Sequence, residues 1–515
     1  MHDLGDVRRQ DWDALVIGTG VGGATLGHAL ARAGWRVLFL EKGRAAHRHA
    51  DTLRGGYPEL ACAGEQTDCL RRGGRLHEAV RDGARSLIPL MGCGSGGSSA
   101  LYGMAMERLF PGDFAAWPID YATLAPYYDR AEALYGVRGG RDPLRPPAPE
   151  LPPAPPLSPV AEELHTHFRH KGLHPYRLPQ ACDFLPGCAC CQGYLCPRGC
   201  KRDAARACLE PALDEHGAVL LDECEALRIE ADARRVTGVV CRRQGQDFTL
   251  RARQVILAAG ALATPALLLR SASPDWPLGL ANRSGLVGRH LMRHLVDLYL
   301  VFTHARTDRR QKELGLSDLY LTDGQTHGTL QSFGVLPPAA LLLDDLGREL
   351  RAKLPWATPL LAPLRPLLAP LLDSLMARGV LLAAILEDLP HADNRVLPGP
   401  PLAIEYRLHT ADQARLRAFR RRIRQVLRPY RFLALTQAEK NALLAHVCGT
   451  CRFGDDASTS VLDRHNRAHD LDNLWVVDAS FFPTSGGTNP ALTIAANALR
   501  VADTLLASES HHAPD

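Results

Sequence analysis

The sequence has no stretch of about 18 uncharged apolar residues, the length a helix needs to cross a bilayer, which argues against a membrane span. It has no excess of either charge: 60 Lys and Arg against 56 Asp and Glu leave +4 over 515 residues. No basic block interleaved with aromatics is present, so nucleic acid is not an expected partner. The opening residues, MHDLGDVRRQDWDA, contain no apolar segment of secretory type, and Arg8-Arg9 is not followed by one. That absence points to the cytoplasm. Internal repeats are also missing, which sets aside repeat architectures. Cysteine, by contrast, is plentiful at 14 residues. In a long chain without a secretory leader these read as thiols or metal ligands rather than a disulfide scaffold. The length calls for two intimately packed domains rather than one simple core.

Residues 13–44 read DALVIGTGVGGATLGHALARAGWRVLFLEKGR. A short apolar run of strand length is followed by Gly18, Gly20 and Gly23 in G-x-G-x-x-G. An amphipathic run over 24–33 and a second apolar run over 37–40, ending on Glu41, complete a strand-helix-strand unit. Glycines at these positions allow a tight turn and close backbone approach, the helix N-terminus faces a pyrophosphate, and an acid ending the second strand can accept hydrogen bonds from a ribose diol. The acid argues against NADP but does not separate NAD from FAD. A second run, Gly92, Gly94, Gly96 and Gly97 followed by Ser98 and Ser99, is either a turn offering backbone N–H groups to phosphate or flavin, or a plain flexible loop.

Further along, 118–137 reads as a helix whose Tyr121, Tyr127, Tyr128 and Tyr135 belong to the core. Nine prolines within 141–159 predict an extended surface connector. Segments 219–240 and 248–257 read as strands, and 254–271 as strand, turn and helix. The texture changes over 291–444. Strand-like runs at 297–303 and 402–408 bracket a Leu/Pro-rich middle, 337–386, expected to form short core helices lining a pocket, with a membrane or partner face as the alternative. Residues 411–427 read as an amphipathic helix with a solvated Arg-rich side.

The C-terminal part holds AHVCGTCRFG and NLWVVDASFFPTSGGTNPALTIAANALRVADTLL. His446 is suited to accept an alcohol proton near neutral pH, and Asn489 can hydrogen-bond the same oxygen without a charge. Two other readings stay open: His446, Cys448 and Cys451 as half of a metal site, and Cys448-x-x-Cys451 as a redox pair.

Seven motifs in order give the chain its resemblance to the glucose-methanol-choline (GMC) oxidoreductases, FAD enzymes that oxidise alcohols. They are the 18–41 fingerprint, GSGGSSALYGM at 94–104, GALATPALLLRS at 260–271, SGLVGRHLMRH at 284–294, EDLPHADNRV at 387–396 and the two C-terminal stretches. The resemblance implies FAD rather than NAD. It also implies an α/β fold: a Rossmann-type FAD-binding domain built from discontinuous segments plus an α+β substrate domain with antiparallel sheet. The FAD domain is expected over 10–295, including the connector 141–159 and a cysteine-rich loop 182–208, the substrate domain over 296–440, and a return to the FAD domain over 441–508.

By the same resemblance His446 is the catalytic histidine and Asn489 the second active-site position. Gly18, Gly20, Gly23 and Glu41 hold the ADP half, Gly97 and Ser98 lie along the pyrophosphate and isoalloxazine, and Asp478 and Ala479 meet the flavin end. Tyr102 replaces an Asn found in many relatives. Leu101 stands where some members carry a histidine linked to FAD, so noncovalent FAD is expected. The implied reaction takes an alcohol to an aldehyde or ketone: a hydroxyl proton to His446, a hydride to flavin N5, and the electrons to oxygen or a redox partner. Sugars, polyols, amino sugars such as aminoglycoside precursors and other alcohols are the implied substrates. Asp344, Asp345, Glu387 and Asp388 are candidates to face a cationic amino sugar.

Half of the cysteines lie within 182–208. Thiolates this close suit iron-sulfur or zinc. The spacing resembles GMC dehydrogenase large subunits that carry a three-iron (3Fe-4S) cluster and pass electrons to a cytochrome, with Cys190, Cys191 and Cys196 as ligands. That makes a flavin/iron-sulfur electron-transfer subunit the alternative function. A zinc or disulfide staple and unligated thiols stay open as well.

Overall fold

Trp12–Ile17 is a strand with every residue but Asp13 buried. It pairs in parallel with Val37–Leu40 on one side and Ala252–Leu257 on the other. Val219–Leu221 and Leu474–Val476 extend the sheet outward, giving five parallel strands among the described residues, in the spatial order Leu474–Val476, Ala252–Leu257, Trp12–Ile17, Val37–Leu40, Val219–Leu221. Unbroken Val/Leu/Ile runs are what strands covered on both faces require. The direction of succession reverses between Trp12–Ile17 and Ala252–Leu257, so a ligand crevice opens beyond their C-terminal ends. Helix Val21–Arg32 leaves at that point and packs against Ala491–Ser510, which returns from the far end of the chain. The computed structural model describes residues 4–45, 80–83, 85–87, 91–188, 190–193, 195–306, 312–322, 324–334, 358–440 and 444–510, with isolated positions between 339 and 356.

The second unit is an antiparallel sheet of seven strands among the described residues. It runs Arg431–Leu435, Met292–Phe302, Gly379–Leu386, Gly328–Ser332, Leu314–Leu316 and Tyr176–Arg177, with Ala445–Cys448 also on Met292–Phe302. Helix Thr410–Leu427 covers it with Leu416, Phe419, Ile423 and Leu427, at the three- and four-residue spacings that face one side of a helix. Helix Pro159–His170 adds Val160, Leu164 and Phe168 to the same core. Residues 159–177, assigned from sequence to the FAD domain, thus build part of the second unit.

Two expectations for this unit change. The Arg-rich side of Thr410–Leu427 is not merely solvated: Arg420 Nε donates to Asp297 at 2.6 Å and Arg415 Nη2 to Glu387 at 3.2 Å, both carboxylates being buried. Among the described residues the Leu/Pro-rich stretch holds one long helix, Thr358–Met376, in place of a set of short ones, with isolated helical positions such as Ala339 and Leu343 buried before it. Pro363, Pro366 and Pro370 recur at helical spacing, so their missing N–H groups fall on one side and the helix continues. Leu364, Leu367, Leu371 and Leu375 are exposed. No helix among the described residues is long and apolar enough to cross a membrane.

Candidate active site

At the reversal point the glycines act through what a side chain would strike. Gly18, at φ 105°, would place a Cβ 2.4 Å from the Ala258 carbonyl oxygen. Gly23 would meet Gly18 O at 2.1 Å, and only its lack of a side chain lets the helix sit on the strand. Gly22, which the sequence reading did not single out, would meet Val477 O at 2.1 Å. Nothing lies within 4 Å of a Cβ on Gly20, which caps a helix with no acid in its first turn. Open space before bare amides suits a pyrophosphate.

The second glycine run comes to the first: a Cβ on Gly97 would be 3.2 Å from Gly20 Cα, and the Ser98 hydroxyl accepts the Gly92 N–H at 3.1 Å. Glu41 ties the two turns together. One carboxylate oxygen accepts from Thr19 Oγ1 at 2.6 Å and Thr19 N–H at 3.2 Å, the other from Gly43 N–H at 2.9 Å and Gly94 N–H at 3.0 Å. Burial pushes its carboxyl up, against these four donors. Asp478 plays the matching part on the other side of the crevice, accepting from Gly260 N–H at 2.9 Å, Thr264 Oγ1 at 2.5 Å and Ser480 N–H at 2.9 Å. The carbonyl of the next residue, Ala479, accepts the Gly449 N–H at 3.1 Å, linking this turn to the strand of His446. These turns fit the ADP and pyrophosphate parts of FAD.

His446 stands on Ala445–Cys448, where two residues, His446 and Val447, oppose one, Arg293: Met292 faces Cys448 and His294 faces Ala445. The extra residue is a bulge, and His446 takes up its turn at φ 56°. The bulge brings His446 Nδ1 to 2.8 Å from Nδ1 of His294, with the rings edge to face. Proton positions follow from the neighbours. His294 Nε2 lies 2.9 Å from the Gly486 carbonyl and 3.2 Å from that of Ser485. Carbonyls only accept, so Nε2 carries the proton. Neutral His294 then presents a bare Nδ1, His446 must donate its Nδ1–H to it, and Nε2 of His446 is left with a lone pair. Burial keeps both rings neutral, pushing His294 down to about 4 and His446 well below 6.5, the latter helped by the Lys312 charge.

The loop that receives the His294 N–H also carries Asn489. It is held by Thr329 Oγ1 donating to Gly487 O at 2.7 Å and by Thr488 Oγ1 donating to Glu107 at 2.9 Å. Asn489 Oδ1 is buried with no hydrogen-bond partner among the described residues, a state that costs about 1–3 kcal/mol until a ligand supplies a donor. Lys312 is buried nearby: its Nζ lies 2.9 Å from where a Cβ on Gly103 would be, and burial lowers it to about 8.

His294 lay within a quoted motif but gained a role only from its partner, whereas Lys312 sits in an unpatterned stretch that offered no signal. Of the acids proposed to face a cation, Asp344 and Asp345 fall outside the described residues. Glu387 is paired with Arg415, and Asp388 accepts from Arg293 N–H at 3.0 Å and Tyr406 OH at 2.7 Å. Their charges are already engaged inside the protein.

Cys448 and Cys451 are buried in the hydrophobic core, their thiols pushed well up by burial, and they form no metal-compatible group with His446 among the described residues. The 182–208 loop partitions its thiols differently from the expected Cys190, Cys191 and Cys196 trio. Cys190 groups with Cys182 and Cys188, while Cys191 contacts Cys196. The turn at Cys190, φ 47°, separates it from Cys191. Tyr102 donates to Arg202 O at 2.8 Å, and Leu101 packs with Ala100 and Leu195.

Signatures of the GMC oxidoreductases match residues 12–296 and 389–498. The chain is 31% identical to 6'''-hydroxyparomomycin C oxidase of Streptomyces lividus over 98% of this chain and 92% of that protein. It is 30% identical to paromamine 6'-oxidase of Streptomyces fradiae over 97% and 93%. Pyridoxine 4-oxidase from Mesorbium loti shares the fold at TM-score 0.66 and 21% identity, over 98% of this chain and 100% of that one. With its signatures on both units and relatives similar along nearly their whole length, this chain belongs to the GMC oxidoreductase family, FAD-dependent enzymes that oxidise alcohols.

Proposed function

We propose that the chain oxidises a hydroxymethyl group of an amino sugar to the aldehyde, with His446 as the base. The observation that carries this reading is the tautomer of His446: its Nδ1–H is committed to His294, so Nε2 is left as an acceptor. The substrate class rests on the two relatives named for paromamine and hydroxyparomomycin oxidation. Gly18, Gly20, Gly23, Gly97 and Ser98, with Glu41, Asp478 and Ala479, would hold noncovalent FAD, which when bound would supply the hydride acceptor, flavin N5. His446 Nε2 takes the hydroxyl proton, and the cation so formed keeps its Nδ1–H on the His294 lone pair. Asn489 orients the substrate with its unpartnered oxygen, and the Lys312 charge favours alkoxide character.

Molecular oxygen is the proposed electron acceptor, in keeping with relatives named as oxidases. The alternative electron-transfer subunit would need Cys190, Cys191 and Cys196 around one cluster, whereas the tightest sulfur group joins Cys190 to Cys182 and Cys188. The cytoplasm, which keeps thiols reduced, suits a chain with 14 cysteines. The test is anaerobic flavin reduction by paromamine. Wild type is expected to bleach while His446→Ala keeps its FAD and bleaches about 10²- to 10⁴-fold more slowly. Bleaching of the variant at the wild-type rate overturns the assignment of the base.

A further inference from the structure

We propose that Cys182, Cys188, Cys190 and Cys200 form a closed tetrahedral thiolate site for one zinc ion, stapling the 182–200 loop beneath the flavin-side turn. The first observation is a set of distances. With zinc-sulfur bonds near 2.3 Å, the sulfurs of a zinc tetrahedron stand about 3.8 Å apart. Cys182 Sγ is 3.7 Å from Cys188 Sγ, and Cys188 Sγ is 4.0 Å from Cys190 Sγ. The three sulfurs all lie within 4.8 Å of one another. Cys200 contacts Cys188 from outside that set of three, and the proposed fourth bond needs its thiol to turn toward Cys182 and Cys190. Its backbone is fixed there by a bridge between Cys182 and Lys201 and by Asp183 N–H donating to Cys200 O at 2.9 Å. Cys182, Cys190 and Cys200 are buried, as a structural site with no open coordination position requires.

The surroundings supply what a thiolate site needs. Four thiolates and one divalent ion carry a net charge of −2. Arg177 stacks on Phe184, two residues from Cys182, and lies within electrostatic reach of Cys182 and Cys190. Two of its nitrogens donate to the Pro155 and Lys312 carbonyls, but Nη2 is buried with no partner among the described residues. Anionic sulfur would give that N–H an acceptor. The Cys190 amide also donates to Cys188 Sγ at 3.5 Å, the kind of contact that steadies a metal-bound thiolate. A three-iron cluster does not fit this group: its ligands bind separate irons bridged by sulfide, so their sulfurs stand farther apart than the edge of a one-ion tetrahedron. Cys191 contacts Cys196 rather than the group of three.

The staple matters because this loop holds the turn after Gly97. Gly193 N–H donates to Leu101 O at 2.7 Å, Lys201 Nζ to Ala100 O at 2.8 Å, and Tyr102 OH to Arg202 O. Losing the ion should loosen FAD without removing the catalytic histidine.

The experiment measures zinc, iron and acid-labile sulfide in purified holoenzyme made in zinc-supplemented medium. One zinc per chain without iron or sulfide is expected. Cys182→Ser and Cys188→Ser should lose the zinc and retain FAD more weakly on gel filtration, while Cys191→Ser and Cys196→Ser keep the zinc. Cobalt substitution should give the visible bands of tetrahedral thiolate coordination, lost in Cys188→Ser. Iron with sulfide, substoichiometric zinc in wild type, or zinc lost from Cys191→Ser and Cys196→Ser would overturn the proposal. If Cys182→Ser and Cys188→Ser do not fold, the wild-type metal content and the other two variants still decide.

Discussion

The two units of this enzyme carry function in different materials. In the parallel unit the work is done by backbone: glycines that leave room, a bare helix N-terminus and a carboxylate that holds two turns together. In the antiparallel unit and the strand returning onto it, the work is done by side chains. His294, Lys312, His446 and Asn489 come from four separate stretches, and each gains its property from the others. Backbone function depends on local geometry, so a substitution there should change how much FAD is held. Side-chain function depends on convergence, so a substitution there should change the rate of flavin reduction while FAD stays bound.

The sharpest probe of that contrast is His294, whose ring contacts His446 and the Ser485 and Gly486 carbonyls and none of the FAD-side glycine turns. His294→Ala removes the acceptor that fixes the His446 tautomer, and flavin reduction should fall by about 100-fold with FAD content unchanged. His294→Asn, which can offer an amide oxygen to the same N–H, should recover part of the loss. A merely structural role would instead lower the melting temperature equally in both. The acid limb of reduction reads out the same pair. Protonating Nε2 removes the base, and burial depresses the His446 pKa, so wild-type kcat/KM should stay level through pH 6.5 and fall only at more acid pH. In His294→Ala the limb should move to still more acid pH, because the His446 cation loses the lone pair that accepts its Nδ1–H.

In the parallel unit the counterpart is Gly22→Ala. A Cβ there would stand 2.1 Å from Val477 O, and the backbone shift should cost about 1–3 kcal/mol with loss of FAD on gel filtration. Gly20→Ala meets no protein atom within 4 Å, so it should fold as wild type and weaken only FAD binding. Equal melting temperatures for the two variants would break the distinction between packing glycines and ligand-facing ones. Asn489→Ala is expected to slow reduction by about tenfold and leave FAD in place, because it removes one orienting contact. The smallest effect belongs to the exposed face of Thr358–Met376. Leu371→Glu should change stability by no more than about 0.5 kcal/mol and leave reduction unaltered, as measured by thermal melting and stopped flow.

How far each part was legible follows from the same contrast. Gly18, Gly20, Gly23 and Glu41 lie within 24 positions of each other and are bound by one strand-helix-strand geometry, so their pattern survives in the linear text. Gly22 sat inside that pattern unnoticed, because its partner, Val477, arrives from the other end of the chain. Thr358–Met376 misled because proline is read as a breaker one residue at a time, while three prolines on one side leave the rest of the ladder intact. The cysteine loop misled because adjacent residues such as Cys190 and Cys191 need not point to the same place once the backbone turns through a positive φ.

By itself the sequence determined the nucleotide-binding unit, the family and the absence of a long apolar span, and it singled out His446 and Asn489. These depend on contiguous residues and on side-chain type. Only the tertiary structure decided which nitrogen of His446 is free, which cysteines share a space, and which arginines meet buried acids. The physical reason is pairing at a distance. Met292–Phe302 lies against Ala445–Cys448 with one residue to spare, and that bulge, which no local rule specifies, turns two separate histidines into a base of defined protonation.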